Sequence, residues 1–225
     1  MASIGEGARY NARMNTSRHT SSLPIWLIVA AAIAAGLGLW LGQRLFTAPE
    51  QPRLENAALY PAPRSIPDFH LTRTNGQPLT LADWRGRWTV VFFGYTSCPD
   101  VCPTTLATFK QVWKDLAARG ISDKVRFDFI SIDPDRDTPD RLGKYVAFFS
   151  PDFIAATGPD SELMPLTRAL GLIYSRSTDA NGAISVEHSG SAVIVDPQGR
   201  EIGIFRPPFV AMAIADDLAT LAAGH

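Results

Sequence analysis

Hydrophobic and polar positions fall into blocks along this chain, and the period changes from block to block. Residues 23–42 are twenty consecutive positions without a charge. A helix of that length, at about 1.5 Å rise per residue, covers the roughly 30 Å hydrocarbon core of a bilayer. Trp26 and Trp40 lie near its two ends, the depth at which interfacial aromatics belong. The pattern predicts a polar tail over residues 1–22 and a single transmembrane anchor over residues 23–43. Residues 44–65, with Pro49, Pro52, Pro61 and Pro63, read as a semi-extended tether, and a globular domain is expected over residues 66–225.

Within that domain, residues 68–72 and 79–81 flank Asn75-Gly76, a hairpin signal because both turn residues tolerate positive φ. Residues 88–93 are a continuous apolar run, the pattern of a strand buried on both faces. Leu106, Phe109, Val112, Trp113 and Leu116 then recur at helical spacing, with Gly120 as the stop. Residues 125–132 predict the next strand, and Pro139 is placed to open a helix running to about Phe149. A short strand over residues 153–157 precedes a helix capped by Asp160 or Ser161 and ending near Leu170 and Gly171.

Residues 173–177 and 183–187 flank a loop containing Asn181-Gly182. A second hairpin pairs 191–195 with 201–205 around Asp196-Pro197-Gln198-Gly199, and a last helix is expected over 208–222. Strands alternating with helices, then a hairpin and a final helix, predict an α/β fold with a mixed sheet.

The formal net charge of −1 supplies no basic field of the kind nucleic-acid binders use. A cleaved secretory signal would have an apolar region of about 7–15 residues and a small-x-small cleavage site. The run here is longer and no clear A-x-A site follows, so a retained anchor is expected. Arg9, Arg13 and Arg18 precede the span while Arg44 and Arg53 follow it. With the N-terminal amine, that small excess places the N-terminus inside and the globular domain outside the cytoplasm. The short N-terminal segment fits a bacterial inner membrane, with the domain in the periplasm, better than a mitochondrial one.

The candidate chemistry lies where the strand over 88–93 hands over to a helix. Cys98 and Cys102 are there, and they are the only two cysteines in the chain. Four-residue spacing puts two side chains on one face of a helix with Cβ atoms about 5–6 Å apart. Pro103 argues instead that the helix begins at residue 103 and that residues 98–102 form a turn. In either geometry the sulfurs face the positive end of the helix dipole, which favours thiolate.

Three readings stand: a structural disulfide, which adds little stability across so small a loop, a redox dithiol, or a soft-metal site. Structural zinc would want four ligands. Copper(I) is selected by soft thiolates, and two cysteines with one imidazole would suffice. Of the four histidines, His19 precedes the span, His225 is the last residue, and His70 is a lone strand histidine of structural type. His188, in Glu187-His188-Ser189-Gly190 before an apolar strand, is the candidate third ligand.

Cys98-Pro99-Asp100-Val101-Cys102-Pro103, Asp133-Pro134-Asp135-Arg136-Asp137-Thr138, Glu187-His188 and the Asp196-Pro197-x-Gly199 turn follow one another behind a membrane anchor. In that order they resemble the SCO/SenC copper chaperones, from about Ile66 to the C-terminus. The resemblance implies a thioredoxin-like fold and one copper ion per chain, as Cu(I) and also Cu(II), bound by Cys98, Cys102 and His188. It implies delivery to the binuclear copper site of cytochrome c oxidase subunit II, by a carrier without enzymatic turnover. Other copper chaperones or thioredoxin-like reductants are the further partners it implies.

The rival reading is a thiol:disulfide reductase that keeps the oxidase subunit's cysteines reduced; Cys98 and Cys102 would be its redox pair, and it would not need His188. A peroxiredoxin-like peroxidase lacks support, because no Pro-x-x-x-Thr/Ser-x-x-Cys spacing leads into Cys98. Asp133, Asp135 and Asp137 read as tuning of the site or partner docking, or more plainly as capping of the following helix with an ion pair to Arg136. Tyr95 and Thr96 are assigned no chemistry.

Overall fold

A computed structural model describes residues 24–46, 54–178 and 184–224. The chain divides into two units, residues 1–51 and 52–225. In the first, the apolar run forms helix α1, Ile25–Phe46. Residues Ile25–Arg44 are long and apolar enough to cross a membrane.

The second unit is a mixed sheet with helices on both faces, a thioredoxin-like architecture. Its strands are β1 (Ala57–Ser65), β2 (Leu71–Arg73), β3 (Pro78–Leu79), β4 (Trp88–Gly94), β5 (Val125–Ser131) and β6 (Ile154–Thr157). They continue with β7 (Tyr174–Thr178), β8 (Ile184–His188), β9 (Ala192–Val195) and β10 (Arg200–Phe205). The helices are α2 (Val101–Ala118), α3 (Pro139–Phe149), α4 (Asp160–Ala169) and α5 (Ala211–Ala223). Eight strands pair in the order β1-β10-β9-β4-β5-β6-β2-β3, and β7 and β8 form a separate two-stranded ribbon. Strands β4, β5 and β6 are parallel, whereas β9 lies antiparallel to β4.

Strand β4 is central, and all seven of its residues are buried. Val90 and Phe92 face Leu106, Phe109, Val112 and Leu116 of α2 together with Ile214 and Leu218 of α5. Val91 and Phe93 face the opposite cluster, which holds Leu163 and Leu166 of α4. The unbroken apolar run thus reflects two buried faces, since successive strand residues point to opposite sides.

The expected hairpin forms across Asn75-Gly76, with β2 paired to β3 and Gly76 at φ +81°. Helix α3 starts at Pro139 as the sequence predicts, and its cap is Thr138, whose side chain accepts from the Arg141 N–H. Asn181-Gly182 lies outside the described residues.

Four elements depart from expectation. Residues 57–65, read as tether, form β1 and pair with β10, with a register break between Leu59 and Arg64. The prolines that disguised this strand fall in the break and at the sheet edge, where a missing N–H interrupts no ladder. Helix α2 begins at Val101, two residues before Pro103, because a first-turn N–H has no intrahelical partner to lose.

Helix α4 is preceded by Pro159 and has no side-chain cap. The carboxylate of Asp160 is engaged elsewhere, by Tyr174 and Arg176. Helix α5 starts at Ala211 rather than 208, since Phe209 turns into the core against Phe109, ring centroids 5.5 Å apart.

Candidate metal centre

The site begins where β4 ends. Gly94 delivers the chain into a turn closed by the Cys98 N–H donating to the Tyr95 carbonyl at 3.2 Å, and α2 follows at once. Cys98 is therefore on the turn and half-buried, while Cys102 is inside the first turn of α2 and fully buried. Both are free thiols, so the structural-disulfide reading is not the state seen. The Cys102 N–H lies 3.4 Å from Cys98 Sγ, which aims a helix-terminal donor at that sulfur.

Space for the inner sulfur exists because residue 94 is glycine. A Cβ there would stand 2.7 Å from Cys102 Sγ and 2.9 Å from the Phe129 ring.

Burial reverses one expectation for Cys102. Its thiol is pushed well above the ordinary value by desolvation, which outweighs the opposing Tyr95 backbone bond, with smaller upward pushes from Cys98 and Asp137. The helix dipole does not offset removal of water from a side chain this deep. In the absence of a metal, Cys102 is a protonated thiol.

The third member arrives from the far end of the ribbon. His188 closes β8, and Ser189-Gly190 then leads into β9, next to β4. His188 Nε2 lies 3.6 Å from Cys102 Sγ. His188 Nδ1 lies 2.9 Å from the Ser189 carbonyl oxygen, which only accepts, so Nδ1 carries the proton and Nε2 keeps its lone pair. Burial also holds the imidazole pKa below its usual value, against the opposing pull of the Ser189 carbonyl. A neutral ring with a bare Nε2 is the ligating form.

The ring is held edge-on by Phe92 and Tyr95, at centroid distances of 6.0 and 6.1 Å. Cys98, Cys102 and His188 place one ligand atom each within 4.8 Å of one another. Metal–sulfur bonds of about 2.3 Å and metal–nitrogen bonds of about 2.0 Å span nearly that separation through a shared ion. The donors fit a soft ion with little movement.

Of the other histidines, His70 is exposed just before β2, and His19 and His225 lie outside the described residues. The acidic loop divides its work. Asp133 pairs with Arg136 at 2.5 Å, as the plainer reading expected, but none of the three aspartates caps α3.

Asp137, fully buried, accepts from the Thr96 N–H at 2.9 Å, the Thr96 hydroxyl at 2.5 Å and the Ser131 hydroxyl at 2.6 Å. Arg141 adds bonds to the Thr96 and Ser97 hydroxyls, both at 2.8 Å. The cysteine turn is thereby fastened to β5 and α3. Tyr95 and Thr96, to which the sequence assigned no chemistry, are thus parts of the site's frame. Their position directly between the strand and Cys98 was the available signal.

The SCO1/SenC family profile matches residues 58–223. The chain belongs to the SCO1/SenC family. A relative from Stutzerimonas stutzeri, named for copper binding, is 39% identical over 153 residues, 68% of this chain and 74% of the relative. The mitochondrial SCO2 homologue of Mus musculus is 33% identical over 175 residues, 77% of this chain and 69% of its own length. Bradyrhizobium japonicum ScoI, solved with copper bound, superposes with a TM-score of 0.64 at 30% identity, over 70% of this chain and 99% of that one. The SCO1/SenC match begins inside β1, which agrees with counting that strand as part of the folded unit.

Proposed function

We propose that this SCO1/SenC protein is a membrane-anchored copper metallochaperone. It binds one copper ion through Cys98, Cys102 and His188 and delivers it to the binuclear copper site of cytochrome c oxidase subunit II. The observation that carries this reading is the convergence of two sulfurs and a bare imidazole nitrogen within 4.8 Å. Two soft thiolates with one imidazole favour Cu(I) over harder ions, and the copper-bound ScoI structure and the copper-binding relative support the choice of metal.

Copper is the cargo, so the site must release it as well as hold it. Cys98, half-exposed on the turn, is the sulfur an incoming thiolate can approach. Transfer then runs by ligand exchange at copper, with Cys98 released first and the buried Cys102 last. Protons lost by the protein thiols on loading return to them on release. The α1 helix anchors the protein in a bacterial inner membrane, N-terminus inside, with the metal domain in the periplasm.

A second reading is favoured by the asymmetry of the thiols. An outer sulfur bearing a helix N–H and an inner one four residues on suit attack and resolution in disulfide exchange. Cys98 would attack a disulfide in subunit II, and Cys102 would then displace the second reduced thiol. The SCO1/SenC protein would be left with a Cys98–Cys102 disulfide, to be reduced again by a thioredoxin-like partner.

The deciding experiment loads the full chain, in detergent and without air, with Cu(I), then mixes it with the reduced, metal-free copper domain of subunit II. Stoichiometric copper transfer that fails for His188→Ala supports the chaperone. Absence of transfer, with reduction of an oxidised subunit II domain by wild type and His188→Ala alike, replaces it with the reductase.

A further inference from the structure

His188 is carried by a ribbon that no strand pairing joins to the main sheet among the described residues, and whose Val186 is seated in one core cluster with Val91 and Val193. Strands β7 and β8 pair only with each other among the described residues, and an isolated two-stranded ribbon is marginal by itself. The exit from His188 is through Ser189-Gly190, a joint with little stiffness of its own. Placement of Nε2 to within fractions of an ångström needs a second attachment to something rigid.

That attachment is visible on β7. Tyr174 is the cross-strand partner of His188, and Arg176 pairs with Val186 two positions along. The Tyr174 hydroxyl donates to Asp160 at 2.7 Å, and the Arg176 guanidinium bonds the same carboxylate. A second guanidinium nitrogen lies 3.5 Å from Asp135. Asp160 opens α4, whose Leu163 and Leu166 are seated in the core, so the backbone that carries its carboxylate is fixed. Asp135 belongs to the acidic loop whose Asp137 fastens the cysteine turn at Thr96. One loop therefore touches both the cysteine turn and the ribbon that carries His188.

We propose that Arg176, held between Asp160 and Asp135, is a positioning residue for His188 that keeps the imidazole in reach of Cys102. The proposal rests on the ligand set given above. Arg176 touches no ligand and acts only through the ribbon. Its removal lowers the fraction of molecules with His188 in place and leaves the thiolates untouched. Partners bonded directly to a metal ligand alter affinity by about 10–100-fold when removed, and Arg176, one step further out, should act at the lower end of that range.

The test is Cu(I) affinity of the full chain in detergent, measured by competition with a chromophoric Cu(I) chelator. The variants are Arg176→Ala, Arg176→Lys, His188→Ala and the double variant Arg176→Ala/His188→Ala. Arg176→Ala should bind up to about tenfold more weakly, Arg176→Lys should recover part of the loss, and the double variant should match His188→Ala alone. Asp135→Asn, an exposed change that leaves the core intact, should show a smaller loss in the same direction.

Wild-type affinity in Arg176→Ala, alongside weak binding by His188→Ala, would overturn the positioning role and leave the ligand set standing. An additive loss in the double variant would overturn it too, because Arg176 would then act on general stability. Wild-type affinity in His188→Ala would overturn the ligand set itself.

Discussion

Cys102 Sγ lies 3.6 Å from Nε2 of His188 across 86 positions of sequence. This contact joins the helix that follows β4 to the segment that enters β9, so the site depends on β4 and β9 being sheet neighbours. Replacing His188 with Ala removes one of the three proposed ligands and should weaken Cu(I) binding by about 100-fold or more, since losing even an outer partner of a ligand costs about 10–100-fold. The Cys98–Cys102 pair should still cycle between dithiol and disulfide. Chelator competition beside a thiol-exchange assay separates the two effects, and unchanged copper affinity would remove His188 from the ligand set.

Gly94→Ala tests the space under the inner sulfur. The new methyl would meet Cys102 Sγ at 2.7 Å and the Phe129 ring at 2.9 Å, both buried, so one must shift. Overpacking of this kind costs about 1–3 kcal/mol. Because the strained atom belongs to a proposed ligand, copper affinity should fall with stability. Chemical unfolding and chelator competition on the same variant check both, and a stable variant with normal affinity would show that the strand end relaxes freely.

Much of this arrangement was legible in the sequence. The apolar run of β4, the stripe Leu106, Phe109, Val112 and Leu116, and Pro139 opening α3 are local signals, and the structure keeps them. The motif order also singled out Cys98, Cys102 and His188, which the fold brings together. Three things were hidden because they depend on distant partners. Strand β1 gets its register from β10, and its prolines mimic a tether. Asp160 looks like a helix cap, yet its carboxylate is claimed by Tyr174 and Arg176. The depth of Cys102 follows from Gly94 and α2 packing, which the Cys-x-x-x-Cys spacing does not encode.

Asp217 should prove a stability hinge that makes no contact with the proposed ligands. This buried α5 carboxylate accepts backbone N–H groups of Glu55, Asn56 and Ala57, all at 2.8 Å. It fixes the entry into β1. Asp217→Ala strands three donors and should destabilise the protein by about 2–4 kcal/mol. Hydrogen exchange should show loss of protection concentrated in β1, with copper affinity little changed. Uniform loss of protection would mean that the clasp holds more than one strand.

Glu201 predicts a pH dependence of stability. It is fully buried on β10 and accepts from the Tyr60 hydroxyl at 2.9 Å. Burial raises its pKa above the ordinary 4.5, against the Tyr60 bond and the Arg64 charge. A raised folded value means that the folded state takes up the proton more readily than the unfolded chain. The resulting stabilisation is complete below about pH 4.5 and is lost as pH rises through the folded value. Glu201→Gln lacks this titration, so its stability relative to wild type should improve from pH 4.5 upward and then level off. Urea unfolding between about pH 4 and 8 checks the sign, and a difference that stays flat would place the charged carboxylate in water.

The two cysteines should differ in reactivity by more than their spacing would suggest. Cys98 is half-buried on the turn and receives the Cys102 N–H, whereas Cys102 is fully buried with its thiol pushed upward by desolvation. The thiolate is the reactive form, and each unit of upward shift lowers its population about tenfold. Limiting iodoacetamide at pH 8, applied to the reduced, metal-free protein, should therefore label Cys98 more than about tenfold faster. Unfolding in urea should erase the difference, because both thiols then have ordinary pKa values and full access. Copper loading should protect both. Equal rates in the folded, metal-free protein would mean that Cys102 visits solvent as often as Cys98, and the proposed order of ligand release would have no physical basis.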